Sequence, residues 1–277
     1  MKLPCADGSF PGSASTVAAS APVATTSSEG PIEIRLVTGS DFAPFTDEGM
    51  EGGGIYTQLV QAALDAVGPQ ADASITFIND WGSHLDVLVP SHAFDGTFPW
   101  IRPSCDDENI SEGTVMRCET FTYSEPFYEN INGFVVNASS DLATSDSYED
   151  FHDKTICLPE DYTDAILTSA GLVEPVINLE VPATSEDCIA MLETGEVDAA
   201  SLEQRQATDI MGKMGVSDKL TFNPNLNDVV TLTVYVAKDN PDGEEILSLL
   251  NEGLATIRDN GVWFETVRKG FSAFYAE

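Results

Sequence analysis

Cations are scarce in this sequence. Only 12 of 277 residues are Lys or Arg, against 46 Asp and Glu, which leaves a formal net charge of −34 at pH 7. A chain this acidic repels phosphate backbones and anionic membrane surfaces, which argues against nucleic acid as a partner and against surface adsorption. Missing too is any run of about 20 apolar residues, so nothing reads as a membrane-spanning helix. The three histidines (His84, His92, His152) are scattered and no Cys-x-x-Cys occurs, so there is no zinc-ligand spacing and no cofactor motif. No Ser–His–Asp order, phosphate-cradling loop or fixed-period repeat stands out. With 46 carboxylates, paired acids carry no information.

What is present suits a soluble chain of about two domains, with 42% hydrophobic residues to fill two cores. Five cysteines occur, at Cys5, Cys105, Cys118, Cys157 and Cys188. The last four read as two local pairs. Cys105–Cys118 closes a loop rich in Asp, Glu, Ser and Gly, and Cys157–Cys188 ties a short strand to the start of a helix; buried free thiols are the alternative. Disulfides of such loop sizes stabilise by about 3–4 kcal/mol in the chain-entropy model and persist in oxidising compartments. Cys5 is left over. Met-Lys-Leu-Pro-Cys carries no apolar stretch ahead of it, so a complete signal peptide is absent from the chain as given. Leu-Pro-Cys also lacks the small residues that a lipid-attachment cleavage site wants.

Residues 1–30 are rich in Ala, Ser, Thr, Gly and Pro without periodicity, and read as a disordered leader or tether. Order begins at Ile32-Glu33-Ile34-Arg35-Leu36-Val37, whose period-2 alternation predicts a strand. A helix follows with the stripe Ile55, Leu59, Ala62, Ala63, Ala66 and a terminating Gly68. Strands are predicted at Ile75–Ile78, Gly133–Val136, Lys154–Cys157 and Val229–Val236, with a polar stretch lacking a core pattern from Asn137 to Asp146. Thr184-Ser185-Glu186-Asp187 has the form of a capping box and opens a helix that stops at Gly195. Two more helices, around Ile246–Ile257 and Val262–Phe271, close the chain. Strand–helix alternation of this kind argues for parallel sheets covered by helices.

Five short motifs then occur in a particular order: Ser40-Asp41-Phe42-Ala43-Pro44-Phe45, Leu85-Asp86-Val87-Leu88-Val89-Pro90-Ser91, Tyr123-Ser124-Glu125-Pro126-Phe127-Tyr128, Ala237-Lys238-Asp239-Asn240-Pro241 and Ile257-Arg258-Asp259-Asn260-Gly261. Each is weak alone. Together, over about residues 31–273, the chain resembles the bacterial extracellular solute-binding proteins of family 3, which serve polar amino-acid ABC transporters. The resemblance implies the α/β type 2 periplasmic-binding fold: two lobes, each a mainly parallel sheet flanked by helices, joined by two hinge strands. Lobe one is expected at 31–137 plus 229–277 and lobe two at 138–228, with crossings at Gly133–Asn137 and Val230–Val236.

The resemblance also implies a ligand-binding set. An Arg seven residues before the Ser of the Tyr123-Ser124-Glu125-Pro126 motif grips the ligand carboxylate in the family, and here that position is Arg117; neutralising local carboxylates is its plainer role. Phe42 stands where an aromatic stacks on the ligand, or else fills the core. Glu203 occupies the ammonium-binding position, with Glu in place of the family's Asp. Leu85, Tyr162 and Thr163 complete the set. Where the family reads a Ser/Thr-rich turn, this chain has Thr97-Phe98-Pro99-Trp100-Ile101-Arg102-Pro103. Its prolines remove backbone donors, while Trp100 and Arg102 add a flat apolar face, unless Trp100 plugs the core, and a second cation. The Gly-Thr-Thr-like turn is replaced by Leu158 to Thr163, and an insertion runs from Ser104 to Met116. These departures point to a zwitterion or anion that is larger than a simple amino acid.

The expected function is therefore the extracytoplasmic binding component of an ABC importer: periplasmic, monomeric, without metal or cofactor, working with an inner-membrane permease and closing like a clam-shell on an amino acid or derivative. It is not an enzyme in this reading. A dehydratase-like enzyme on the same scaffold and a sensory module presenting closure to a receptor are the alternatives. The charge itself makes a prediction. Self-repulsion at −34 is screened by salt, so the melting temperature rises between roughly 0.01 M and 1 M NaCl; a flat response would show that the acidic surface costs the fold nothing.

Overall fold

The computed structural model describes residues 30–106, 110–160 and 162–276; the expectations about Cys5 and the leader fall outside them. The first half of the fold is built on β1 (Ile32–Thr38), α1 (Ile55–Ala66), β2 (Ala71–Phe77), the short turn α2 (Trp81–Ser83) and β3 (Gly96–Ile101). Strand β1 lies between β2 and β3, parallel to both. Helix α1 buries Ile55, Leu59 and Ala63 on one face, and it ends on Gly68 at φ 61°, a left-handed position that glycine takes without strain.

The chain continues through α3 (Glu112–Thr120), β4 (Phe121–Tyr123) and β5 (Tyr128–Asn137). After it come β6 (Thr155–Cys157), α4 (Ala165–Ser169), β7 (Asn178–Glu180), α5 (Ser185–Thr194), β8 (Ala199–Glu203) and α6 (Gln204–Met214). Strand β6 is parallel to β7 and β8. The Thr184 hydroxyl accepts from the Asp187 amide at the start of α5, and Gly195 ends the helix at φ 80°, so both ends follow from local chemistry. Disulfides join Cys105 to Cys118 and Cys157 to Cys188. The second fixes β6 to the first turns of α5, and both of its cysteines are fully buried.

The long strand β9 (Leu220–Ala237) then returns, and α7 (Gly243–Asp259) and α8 (Val262–Phe274) finish the chain. The strand order is β2-β1-β3-β9-β5-β8-β6-β7, with β4 also on β9. The result is two lobes of mainly parallel sheet joined by the antiparallel pair β5 and β9, a type 2 periplasmic-binding fold. Hydrophobic clusters divide accordingly. Phe127 and Leu232 belong with β1, α1 and α7, whereas Phe134 and Leu226 belong with β6 and α4. The change of core therefore falls between 127 and 134 on β5 and between 226 and 232 on β9, earlier on each strand than the expected crossings.

β9 is also longer than the predicted Val229–Val236, because its first half is disguised by asparagines. Asn223 is fully buried, and its amide donates to the carbonyls of Leu142 at 2.7 Å and Ser145 at 3.0 Å. Those two residues lie in the 137–146 stretch that has no core pattern in sequence. Leu142 and Ala143 are nonetheless buried there, so a polar side chain organises a short apolar contact.

Across the lobes, Ser111 donates to Asp164 at 3.1 Å, and Phe42 meets Tyr162 edge-on with ring centres 6.5 Å apart. Arg205 of α6 lies over Phe271 of α8 at 4.6 Å, and Lys213 lies 5.3 Å from Phe274. Such cation–ring contacts are worth about 0.5–1 kcal/mol each when exposed. The lobes thus touch through α3, through Phe42 and through α8. One packing prediction follows. A Cβ on Gly253 of α7 would sit 1.9 Å from the Ala63 carbonyl of α1, so Gly253→Ala forces the helices apart and lowers unfolding free energy by about 1–3 kcal/mol, measured by urea denaturation.

Candidate functional site

A cavity of about 420 Å³ lies between the lobes. The first lobe contributes the turns that end β1 and β2, the middle of β3, and α3. The second contributes the segment after β6, the first turn of α5 and the end of β8. These are the carboxyl ends of the parallel strands, where ligands bind in open α/β sheets. Of the sequence-derived candidates, Phe42, Trp100, Arg117, Tyr162, Thr163 and Glu203 all line it. Leu85 and Arg102 do not. Leu85 sits in the π-helical turn His84–Leu88 and is buried among Val37, Val89 and Trp100. Arg102 is exposed and faces a separate, adjoining hollow.

Trp100 is 7% exposed and belongs to the lobe-one core, so it fills the core and lines the cavity at once. Its orientation is set by a hydrogen-bond relay. The indole Nε1 donates to Thr97 Oγ1 at 3.0 Å, and that oxygen lies 3.1 Å from His84 Nδ1. His84 Nε2 is 2.8 Å from the Ile78 carbonyl, which accepts, so Nε2 carries the proton and Nδ1 receives the Thr97 hydroxyl. The one histidine near the cleft is thereby committed to structure. Over the Trp100 ring, 5.4 Å from its centre, lies the Arg117 guanidinium.

Arg117 stands in the last turn of α3, one residue before Cys118, whose disulfide ties the helix to the segment after β3. It forms no ion pair among the described residues, and its buried Nε has no hydrogen-bond partner. The Oδ1 of Asn132 on β5 is likewise buried and unpartnered, and Asn132 lines the same cavity. A donor and an acceptor left without partners beside one cavity are costly to bury.

On the opposite lobe, Glu203 is 3% exposed and ends β8. Its Oε2 accepts from the Gln206 amide at 2.7 Å, capping α6. Burial pushes its carboxyl up to about 7 against the opposing pull of the helix amides and of Arg205. Tyr162 is held by Ser185, which donates to its hydroxyl at 2.9 Å, and by Gln206, which accepts from it at 2.9 Å. Burial raises that phenol to about 12, so it serves as a neutral wall.

Several lining residues were not singled out from sequence: Asp41, Asn79, Asp80, Trp81, Asn130, Glu160, Thr184 and Glu186. Trp81 packs against the backbone of Gly39, where a Cβ would lie 2.4 Å from the indole, and meets Trp100 edge-on at 5.9 Å. The acids matter most. Among the described residues, Asp41, Asp80, Glu160, Glu186 and Glu203 share the lining with one guanidinium, that of Arg117. Among the described residues no His/Cys/Asp/Glu group is placed to hold a metal ion, and no helix is long and apolar enough to cross a membrane.

Glu203 sets a pH signature. Between its ordinary 4.5 and about 7 the folded protein keeps a proton that the unfolded chain has released. Stability of the fold in this structure therefore falls as pH rises through that window, by up to about 3 kcal/mol. Glu203→Gln retains the cap acceptor and removes the charge, so its denaturation midpoint changes less than the wild type's between about pH 5 and pH 8.

No protein-family model matches the chain, and no curated protein does. Solved structures match well in shape. An amino acid ABC transporter substrate-binding protein, AbpA from Streptococcus pneumoniae, bound to L-arginine, is 20% identical with TM-score 0.64 over 87% of this chain and 95% of that one. The arginine-, lysine-, histidine-binding protein ArtJ from Geobacillus stearothermophilus is 20% identical with TM-score 0.61, over 87% and 96%. A histidine kinase sensor domain with similarity to periplasmic binding proteins is 17% identical with TM-score 0.67, over 87% and 97%. At these identities the likeness is one of fold, and the fold is that of the type 2 periplasmic-binding proteins.

Proposed function

We propose that this chain is the extracytoplasmic binding component of an ABC importer and captures a cationic amino acid or a close derivative by closure of its lobes. The observation that carries this reading is the cavity's charge arrangement, with one guanidinium on lobe one facing Glu203 on lobe two and carboxylates around the remainder. The ligand carboxylate would pair with Arg117, where a guanidinium can offer two parallel donors. Its α-ammonium would meet Glu203, and pairing with that cation would offset the cost of holding a charged carboxylate in a buried position. A side-chain cation would lie among Asp41, Asp80, Glu160 and Glu186. The similar structure of AbpA holds L-arginine, in keeping with this choice.

In this reading β5 and β9 are the hinge, and the lobes divide between about 128 and 134 on the first strand and between about 226 and 232 on the second. Binding would need no chemistry from the protein, which acts as a monomer delivering solute to a membrane permease. The two disulfides suit an oxidising, extracytoplasmic setting. A second reading, a sensing module that presents closure to a receptor, draws on the fold match to the kinase sensor domain. Co-purification with a permease or with a receptor separates the two.

Thermal shift against single amino acids tests the proposal. L-Arginine or L-lysine raises the melting temperature in a concentration-dependent way, whereas L-glutamate does not. Arg117→Ala weakens the best ligand by about 2–5 kcal/mol, as expected for removing one partner of a buried charge pair. A panel without any shift, or an Arg117→Ala variant that binds as wild type, overturns it.

A further inference from the structure

Beyond Arg117 the cleft continues. A second hollow of about 330 Å³ shares Ile101, Arg117 and Thr163 with the first, so the two meet at the guanidinium. Their charges are opposite. Among the described residues, the first is lined by five carboxylates and one cation, and the second by Arg102 and Arg117 with one acid, Asp228. Arg102 forms no ion pair among the described residues, although the protein as a whole is strongly acidic. Its root is firm, because its backbone amide donates to the Thr231 carbonyl at 2.9 Å. The Cys105–Cys118 disulfide then holds the segment after Arg102 to the helix carrying Arg117, with Cα atoms 5.8 Å apart. Val229, 65% exposed, supplies an apolar wall that a ligand would cover.

We propose that this second compartment takes an extension of the ligand ending in a carboxylate, with Arg102 as its charge partner, so that the cleft accepts molecules longer than a free amino acid. The inference rests on the reading of the first cavity as an amino-acid site. A cationic residue amide-linked to a second residue fits the sequence of groups. Its ammonium would reach Glu203, its amide carbonyl would take the donors of Arg117, and its terminal carboxylate would reach Arg102. The Ser111–Asp164 hydrogen bond between lobes lies beside this compartment, so closure would cover the extension together with the rest of the ligand.

Calorimetric titration of the whole chain with L-arginine, L-arginyl-glycine and the C-terminal amide of that dipeptide decides the matter. The dipeptide binds about 10-fold or more tightly than its amide, as expected for one added charge pair. Arg102→Gln removes that difference while leaving L-arginine affinity within about 2-fold of wild type. Equal affinity of dipeptide and amide overturns the inference, as does an Arg102→Gln variant that still discriminates between them. If L-arginine binds and neither dipeptide form does, the inference falls and the amino-acid reading stands. If none of the three binds, both fall.

Discussion

The antiparallel pairing of β5 with β9 is the constraint on which the site depends. These strands belong to two cores at once, since Tyr128 and Leu232 pack in one lobe and Phe134 and Leu226 in the other. The register shifts between Gly133 and Val135, at a glycine whose Cβ would lie 2.7 Å from the Phe222 ring and 2.9 Å from the Leu226 carbonyl. The strands can approach so closely at that point only because no side chain intervenes. Just before this irregularity, Asn130 and Asn132 of β5 turn toward the cavity. The place where the two lobes are joined is therefore also a wall of the cavity.

Electrostatics supply the second layer. In a chain with 46 acids an unpaired cation is informative and a carboxylate is not. Arg117 is held over the Trp100 ring and forms no ion pair among the described residues. Trp100 is itself aimed by Thr97 and His84. Glu203 performs two tasks with one carboxylate: it caps α6 and closes the cavity from lobe two. Its raised proton affinity records the cost of burial, which outweighs the pull of the helix amides and of Arg205.

Much of the architecture was legible because local chemistry and global fold agree. Alternation marks β1, a stripe and a terminal glycine mark α1, and Thr184 with Gly195 brackets α5. Counting back from Ser124 reached a residue that does line the cavity, Arg117. Other features were hidden for physical reasons. The first half of β9 carries asparagines whose polarity is satisfied only by distant carbonyls, so no periodicity betrays it. Asp80 and Trp81 sit in an irregular turn after β2, and the lining acids are indistinguishable from surface acids until the chain is folded. Leu85 and Arg102 went astray differently. A π-helical turn draws the first into the core, and the position of the second past Trp100 carries it round to the neighbouring hollow.

The central claim is that two lobes close on a cationic solute about β5 and β9. Small-angle X-ray scattering with and without saturating L-arginine tests it most directly. The account predicts a ligand-free protein more open than this structure, with a radius of gyration that contracts on adding ligand until the curve matches these closed lobes. A ligand-free curve that already matches them and stays unchanged at saturation would contradict the clamp.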